Sequence, residues 1–261
     1  MTALYSPARI AAAMHRSVPG LTIEAVDVTG STNADLLARR DTLHGPTLLI
    51  AEDQTAGRGR AGRSWHSERE QSLTCSLAWP FQLPQHALAG LSLAVGVALV
   101  DTLALFDLEV MLKWPNDVLY RGRKVAGILI ETASGVAQPL YAVIGIGINL
   151  QASSQLTQRV DQPIGALGLA SQRELVVAGL LDQLGVTLQQ FEREGFPAFA
   201  ARWNALHLHA GQQVTLSDHG RVLMQGKAVG VDAQGRLLID TERGREIVLA
   251  GDVSLRLLER T

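Results

Sequence analysis

Gln54-Thr-Ala-Gly-Arg-Gly-Arg-Ala-Gly-Arg-Ser-Trp-His66 is the stretch on which the reading of this 261-residue chain turns. Gly57, Gly59 and Gly62 alternate there with Arg58, Arg60 and Arg63. Glycines open backbone conformations closed to other residues and let the chain lie close to a ligand. Arginines add planar, permanently charged forks that match phosphate and carboxylate. A mobile loop of this composition is suited to closing over an anion. Gly57-x-Gly59-x-x-Gly62 also matches a dinucleotide-binding fingerprint, which needs a strand before it and a helix opening at the last glycine. Thr47–Glu52 supplies the strand, but Arg63-Ser-Trp-His-Ser-Glu-Arg-Glu-Gln71 carries no apolar helical period. The acid expected at a strand end ~20 residues further on is missing too. Kinase partner motifs and the Gly-x-x-x-x-Gly-Lys-Ser/Thr pattern do not occur, so those two phosphate loops are excluded.

A hydrophobic content of 47% is ample for a core, and the length suits one large domain plus a small one. With 23 basic and 25 acidic residues the net charge is −2, which gives no global pull toward nucleic acid or membrane. The arginines are therefore local chemistry on a near-neutral body, favouring a small anionic ligand. Cys75 is the one cysteine, which rules out an internal disulfide and suits a reducing cytosol. In the alternating run Ser72–Trp79 it reads as a small buried hydrophobe. A cytoplasmic protein is expected, since the N-terminus lacks the layout of a secretory signal. Ala87–Phe106 is the one membrane candidate, but Asp101, Thr102, Ser92, Gly90 and Gly96 interrupt it. It reads as a buried core helix.

Outward from the loop, Leu21–Val28 alternates like a strand, and Ser31, Thr32 and Asn33 are N-cap candidates for a helix to about Arg40. Strands are expected at 47–52, 72–79, 109–113 and 140–150, with a hairpin over 118–131 turning at Arg121-Gly-Arg123. Residues 171–194 and 196–206 read as helices, Pro197 standing at a helix start. Ala8–His15 gives at most one short helix. From Ala210 short β-rich runs (213–217, 221–229, 236–241, 245–249, 253–258) alternate with His-Gly, Gln-Gly and Arg-Gly turn signals, the spacing of a small antiparallel barrel. The division is expected as residues 1–208 and 209–261.

Three further segments carry chemistry. Lys113-Trp-Pro-Asn-Asp117 sets an amine, an amide and a carboxylate around a proline corner. Lys124-Val-Ala-Gly127 starts a strand with a lysine beside a glycine that admits a ligand to the backbone. Gly145-Ile-Gly147-Ile-Asn149 repeats that device, both glycines and Asn149 sharing one strand face. Together with Gly30-Ser-Thr-Asn33 and Gln54, these segments in this order resemble the signatures of the biotin protein ligases, from about residue 20 to the chain end.

The resemblance implies an α+β fold. A mixed or antiparallel sheet flanked by helices would form a class II synthetase-like catalytic domain, followed by an SH3-like C-terminal β-barrel. It implies an enzyme that joins biotin and ATP as biotinyl-5′-AMP and then acylates a lysine of the biotin carboxyl carrier protein of acetyl-CoA carboxylase. Mg²⁺ is expected as partner of the triphosphate, with no protein-built metal site. By the same resemblance Lys124, Arg58, Asp117 and Lys113 are the catalytic candidates. Ser31, Thr32, Asn33, Gln54, Gly57, Arg58, Lys124, Gly127, Gly145 and Gly147 are expected at biotin. Arg58, Arg60, Arg63, Trp65, Lys113, Asn116, Lys124 and Asn149 are expected at the nucleotide. Many bacterial relatives add an N-terminal DNA-binding domain and act as repressors. About 25 residues precede the first expected strand here, so DNA binding is not expected, nor is a membrane; a homodimer is compatible with the resemblance.

Each residue has a plainer reading. Arg60, Arg63, Lys113 and Lys124 would be solvated charges, Ser31 and Thr32 simple caps, and Gly145 and Gly147 packing glycines. Trp114 reads first as a packing anchor. His207 and His209 share a face if extended, without a third metal ligand in sight. The alternative functions are a lipoate or octanoate ligase with the same adenylate logic, a nucleic-acid module using the Arg-Gly run, and a non-catalytic biotin sensor. Near-neutral charge and few interleaved aromatics count against nucleic acid. Retained Lys113, Asp117 and Lys124 count against the sensor.

Overall fold

The alternating and β-branched runs assemble into one mixed seven-stranded sheet in the computed structural model, which describes residues 3–133, 140–153, 164–218, 220–249 and 253–258. Its strands are β1 (Thr22–Thr29), β2 (Thr47–Gln54), β3 (Ser72–Phe81), β4 (Met111–Lys113), β5 (Asp117–Tyr120), β6 (Arg123–Ala133) and β7 (Leu140–Asn149), in the order β1-β2-β3-β7-β6-β5-β4. β1 and β2 are parallel; every other neighbouring pair is antiparallel. Among the described residues five α-helices flank it: α1 (Pro7–Ala13), α2 (Thr32–Ala38), α3 (Leu91–Ala104), α4 (Arg173–Glu194) and α5 (Pro197–Ala205).

The two faces of the central strands do different work, because side chains alternate across a sheet. Leu73, Leu77, Ile144, Ile146 and Ile148 face the main core, together with α3 and α4. On the opposite face Leu49, Ala78, Tyr141 and Val143 meet Leu36 of α2. Burial on both sides explains why β7 is apolar along nearly its whole length.

The apolar run expected as a helix from 87 to 106 is broken. Gln85–Leu88 forms a 3₁₀ turn, and Gly90 adopts φ 81° before α3 begins. A Cβ at Gly90 would lie 2.7 Å from Cβ of Phe196, so glycine serves both the turn and the packing. Gln85–Ala104 is long and apolar enough to cross a membrane by length and composition, yet 67% of its 18-residue apolar stretch is buried inside the fold.

β8 (Gln213–Asp218), β9 (Arg221–Val231), β10 (Leu237–Thr241), β11 (Gly244–Val248) and β12 (Val253–Leu257) form a second, wholly antiparallel sheet in the order β11-β10-β9-β8-β12. This sheet stands where the SH3-like barrel is expected, but it does not close: among the described residues β11 and β12 are its unpaired edges. The His-Gly turn signal before β9 includes His219, which lies outside the described residues. Several contacts among the described residues hold the second unit to the first, Asn204 of α5 exchanging hydrogen bonds with Val231 of β9 at 3.1 and 2.7 Å among them. Leu112 and the 206–208 segment exchange backbone hydrogen bonds at 2.9 and 2.8 Å. Trp114, 1% exposed, donates its indole N–H to the Gly235 carbonyl at 3.1 Å, so it is the packing anchor its aromatic bulk suggests.

Candidate active site

Strand register builds the floor of a cavity on the sheet face opposite the main core. Asp117, Gly127, Gly147 and Thr74 stand directly opposite one another across four strands. The next row is Leu129, Gly145 and Ser76. The absent side chains of the glycines are where other groups lie. Trp65 lays its indole against Gly147, where an added Cβ would overlap the ring and come within 2.8 Å of Nε1. At Gly127 a Cβ would meet the same ring at 3.2 Å and Lys124 Nζ at 3.4 Å. A Cβ on Gly145 would overlap the amide oxygen of Asn33. All three strand glycines therefore give up their volume to a functional side chain.

The arginine loop is a folded lid. Its two arms are joined by Trp65 N–H to Gly57 O at 2.9 Å and Gly59 N–H to Arg63 O at 2.7 Å. Gly57 is required for this approach, since a Cβ there would lie 2.5 Å from Trp65 O. The tip turns through Ala61 (φ 56°) and Gly62 (φ 68°). Arg58 pairs with Glu131 at 2.9 Å and Arg60 donates to Asn116 Oδ1 at 3.2 Å, so two arginines tie the lid to the sheet.

At one end of the cavity stands a compact polar group. Ser31 caps α2 by accepting from Ala34 N–H at 3.5 Å, and also lines the cavity. Gln54 Oε1 accepts from the Thr32 backbone N–H at 2.8 Å, and Thr32 Oγ1 lies 2.6 Å from Ser76 Oγ. Ser76 donates to Asn33 Oδ1 at 2.5 Å. Ser31, Thr32, Asn33 and Ser76 are all buried.

At the other end Lys124 Nζ meets Asp117 Oδ1 at 2.7 Å, both side chains largely shielded from solvent, and lies 5.9 Å from the Trp65 ring centre. Lys113 shares this space. Burial, assisted by the charges of Lys124, Arg256 and Arg63 and opposed by Asp117, holds its amine below the ordinary lysine range. Asn116 donates to the Ile128 carbonyl at 2.8 Å, and Asn149 to the Gly165 carbonyl at 3.1 Å. Val253, Ser254 and Leu255 of β12 close one wall.

Every residue expected at the site lines this one cavity except Gly57, which lies on the outer side of the loop with Glu131. Sequence reading missed Ser76, the wall from β12, and the acid that holds Arg58. Cys75, 2% exposed, does behave as a buried hydrophobe, and burial pushes its thiol up to about 12. His207 and His209 are buried with ring centres 6.0 Å apart, and no cluster of three metal-ligating side chains exists among the described residues.

A glycine-floored cavity with an amide and hydroxyl reader at one end, and lysines and arginines converging at the other, defines a protein that brings a carboxylate up to a phosphate ester. Residues 25–149 match the Biotin/lipoate A/B protein ligase family, and residues 209–256 match the Biotin protein ligase C terminal domain. The biotin–[acetyl-CoA-carboxylase] ligase of Mycobacterium tuberculosis is 40% identical over 88% of each chain. The bifunctional ligase/repressor BirA of Escherichia coli is 33% identical over 92% of this chain and 76% of its own. The biotin protein ligase of Aquifex aeolicus, solved with biotin and ATP, superposes with a TM-score of 0.77 at 28% identity, covering 91% of this chain and 99% of that one. The chain belongs to the biotin protein ligase family.

Proposed function

We propose that this chain activates biotin with ATP as biotinyl-5′-AMP and transfers the biotinyl group to a lysine of the biotin carboxyl carrier protein of acetyl-CoA carboxylase, acting in the cytoplasm. The observation that carries the proposal is the single cavity joining the Ser31–Asn33, Gln54 and Ser76 group to Lys124, Asp117, Lys113 and the loop arginines. Its polar end suits a ureido ring, which offers two N–H donors and one carbonyl. Its cationic end suits two anions that must meet.

In the first half-reaction a biotin carboxylate oxygen bonds to the α-phosphorus, and the bond to pyrophosphate breaks. Lys124 would bridge both anions, offsetting their repulsion and the charge that builds on phosphorus. Arg58, Arg60, Arg63 and Lys113 add to that field. Trp65, whose indole N–H is buried without a partner among the described residues, covers biotin and adenine from the lid side. Gly57 sets the lid's approach, Gly127, Gly145 and Gly147 form the floor, and Asn116 and Asn149 position the nucleotide. Oxygen donors at the cationic end, chiefly the Asp117 carboxylate, fit a hard cation shared with the triphosphate, so Mg²⁺ would be held there. When bound, that ion neutralises phosphate charge.

In the second half-reaction the acceptor amine bonds to the acyl carbon and AMP departs. The amine must lose a proton, and Asp117 is the carboxylate at hand in the cavity. Residues 1–208 supply the reacting site, and 209–261 close it through β12. A direct test uses purified chain, ATP, Mg²⁺ and the carrier domain, with pyrophosphate release and biotin transfer followed separately. Biotin-dependent pyrophosphate release and transfer are expected, with lipoate and octanoate inert. Activation of lipoate in preference to biotin would overturn the proposal.

A further inference from the structure

We infer that Glu131, which lies outside the cavity, sets the direction of the hydrogen bonds that read the substrate ring and so favours a ring that donates N–H. The inference rests on the biotin reading above and names a positioning residue for it.

Protons can be counted along one continuous chain of atoms. Asn33 Nδ2 lies 2.8 Å from Glu131 Oε2 and 3.3 Å from the Leu129 carbonyl. A carboxylate and a carbonyl are acceptors, so the amide nitrogen must face them and the amide oxygen must face Ser76. Ser76 has one hydroxyl proton, and it goes to Asn33 Oδ1 at 2.5 Å. Thr32 has one as well, placed between Ser76 Oγ at 2.6 Å and Gln54 Oε1 at 3.1 Å. Either placement consumes it. The oxygens of Thr32 and Ser76 therefore offer lone pairs, not protons, to whatever enters. Ser31 keeps its hydroxyl proton, because its oxygen accepts from Ala34 N–H. A ligand that supplies N–H groups and one carbonyl completes this pattern, whereas an alkyl chain or a dithiolane leaves the lone pairs unanswered in a buried place.

Glu131 is the origin of that polarity. Without its carboxylate, Asn33 loses the stronger of the two acceptors that orient its amide and is free to turn its nitrogen toward Ser76. Reversal would propagate to Thr32 and present protons to the ureido N–H groups. Glu131 is near no reacting atom, and the same Oε2 accepts from Arg58 at 2.9 Å. The reader of the ring and the lid thus hang on one oxygen.

The test compares Glu131→Ala and Glu131→Gln with the wild-type chain in biotin-dependent ATP–pyrophosphate exchange, with thermal melting as the folding control. Gln keeps an oxygen for Asn33 but drops the charge that pairs with Arg58, which separates the two roles. Glu131→Ala is expected to raise the KM for biotin roughly 10- to 100-fold, the usual reach of a mis-set buried hydrogen bond. Any change in kcat or in the KM for ATP that comes from losing the Arg58 pairing should be shared by Glu131→Ala and Glu131→Gln, whereas the rise in biotin KM belongs to Glu131→Ala alone, and inhibition by octanoate, which has no N–H, should stay within about threefold. Glu131→Gln should restore the biotin KM to a similar margin. An unchanged biotin KM in Glu131→Ala, or an equal rise of the biotin KM in Glu131→Gln, would each overturn the inference while leaving the biotin reading intact. A wild-type chain without biotin-dependent exchange would overturn both.

Discussion

Gly147→Ala is the smallest change that should disable the chain, and its effect follows from one contact. The added methyl would overlap the Trp65 ring and lie 2.8 Å from Nε1, against about 3.4 Å for ordinary contact. Nε1 alone must retreat by about 0.6 Å, the difference of those two distances, and the nearer ring carbons by more. The indole cannot tilt away freely, because Trp65 N–H is bonded to Gly57 O at 2.9 Å and the ring also rests on Gly127. Relief therefore has to come from the lid as a body, carrying Arg58, Arg60 and Arg63 with it. A misplacement near 1 Å typically costs about 10²-fold in rate when geometry is what the site supplies. Adenylation should fall by that order. The fold should not suffer, since alanine is no worse than glycine inside a strand. The assay is pyrophosphate exchange beside thermal melting and acrylamide quenching of tryptophan, because Trp79, Trp114 and Trp203 are buried and Trp65 is the less shielded ring. Exchange within about threefold of wild type, with quenching unchanged, would refute the idea that the Gly147 floor sets the lid position.

Further perturbations test other parts. Lys124→Ala strips Asp117 of its partner at 2.7 Å and should slow adenylation by about 10²–10³, with biotin affinity less changed; single-turnover pyrophosphate release checks it. Arg58→Gly and Arg60→Gly each cut one tie between lid and sheet, so biotinyl-AMP should escape and label albumin added to the reaction; unlabelled albumin with both variants removes a retaining role for the lid. Burial lowers His207 and His209 from 6.5 to about 4, with the neighbouring His209 and Lys113 charges assisting, respectively. Their neutral forms are favoured in the fold, so their contribution is full above about pH 6.5 and is lost as pH falls toward 4. Urea midpoints measured from pH 7.5 to 4.5 should fall less steeply in His207→Phe than in wild type, and equal slopes would count against burial of the neutral ring.

Residues close in sequence were readable, and residues joined by register were not. The glycines at 57, 127, 145 and 147 stand out because a missing side chain inside a loop or strand needs a reason, and each proves to make room for backbone, lysine, amide or indole. Ser76 carried no such mark. It sits among the small residues of Ser72–Trp79, and only pairing with Gly145 on β7 shows that it shares a face with the site. The break at Gly90 was hidden by alanines and leucines on either side, since its cause, Phe196, comes from the distant turn between α4 and α5. The wall from β12 required the second sheet to fold back, which no local pattern states.

The placement of the charge has a physical reason as well. A sheet buried on one face by α3 and α4 has only its other face to offer a ligand, and a bare glycine floor there would expose both substrate and acyl-adenylate to water. Covering it with a permanent helix would block entry of the acceptor lysine. A loop covers the floor reversibly, and its glycines allow the close approach at Trp65 O that a side chain at residue 57 would prevent. On the function proposed above, concentrating arginines in that loop would let the phosphate field assemble as the cover closes. The body itself can stay near neutral, at −2 overall, without drawing in nucleic acid. Ties at Arg58 and Arg60 are then the natural control points, because each reaches from lid to sheet to a half-buried partner. Weak ties suit a cover that must open once per turnover, and a lid welded by stronger contacts would trade acceptor access for retention.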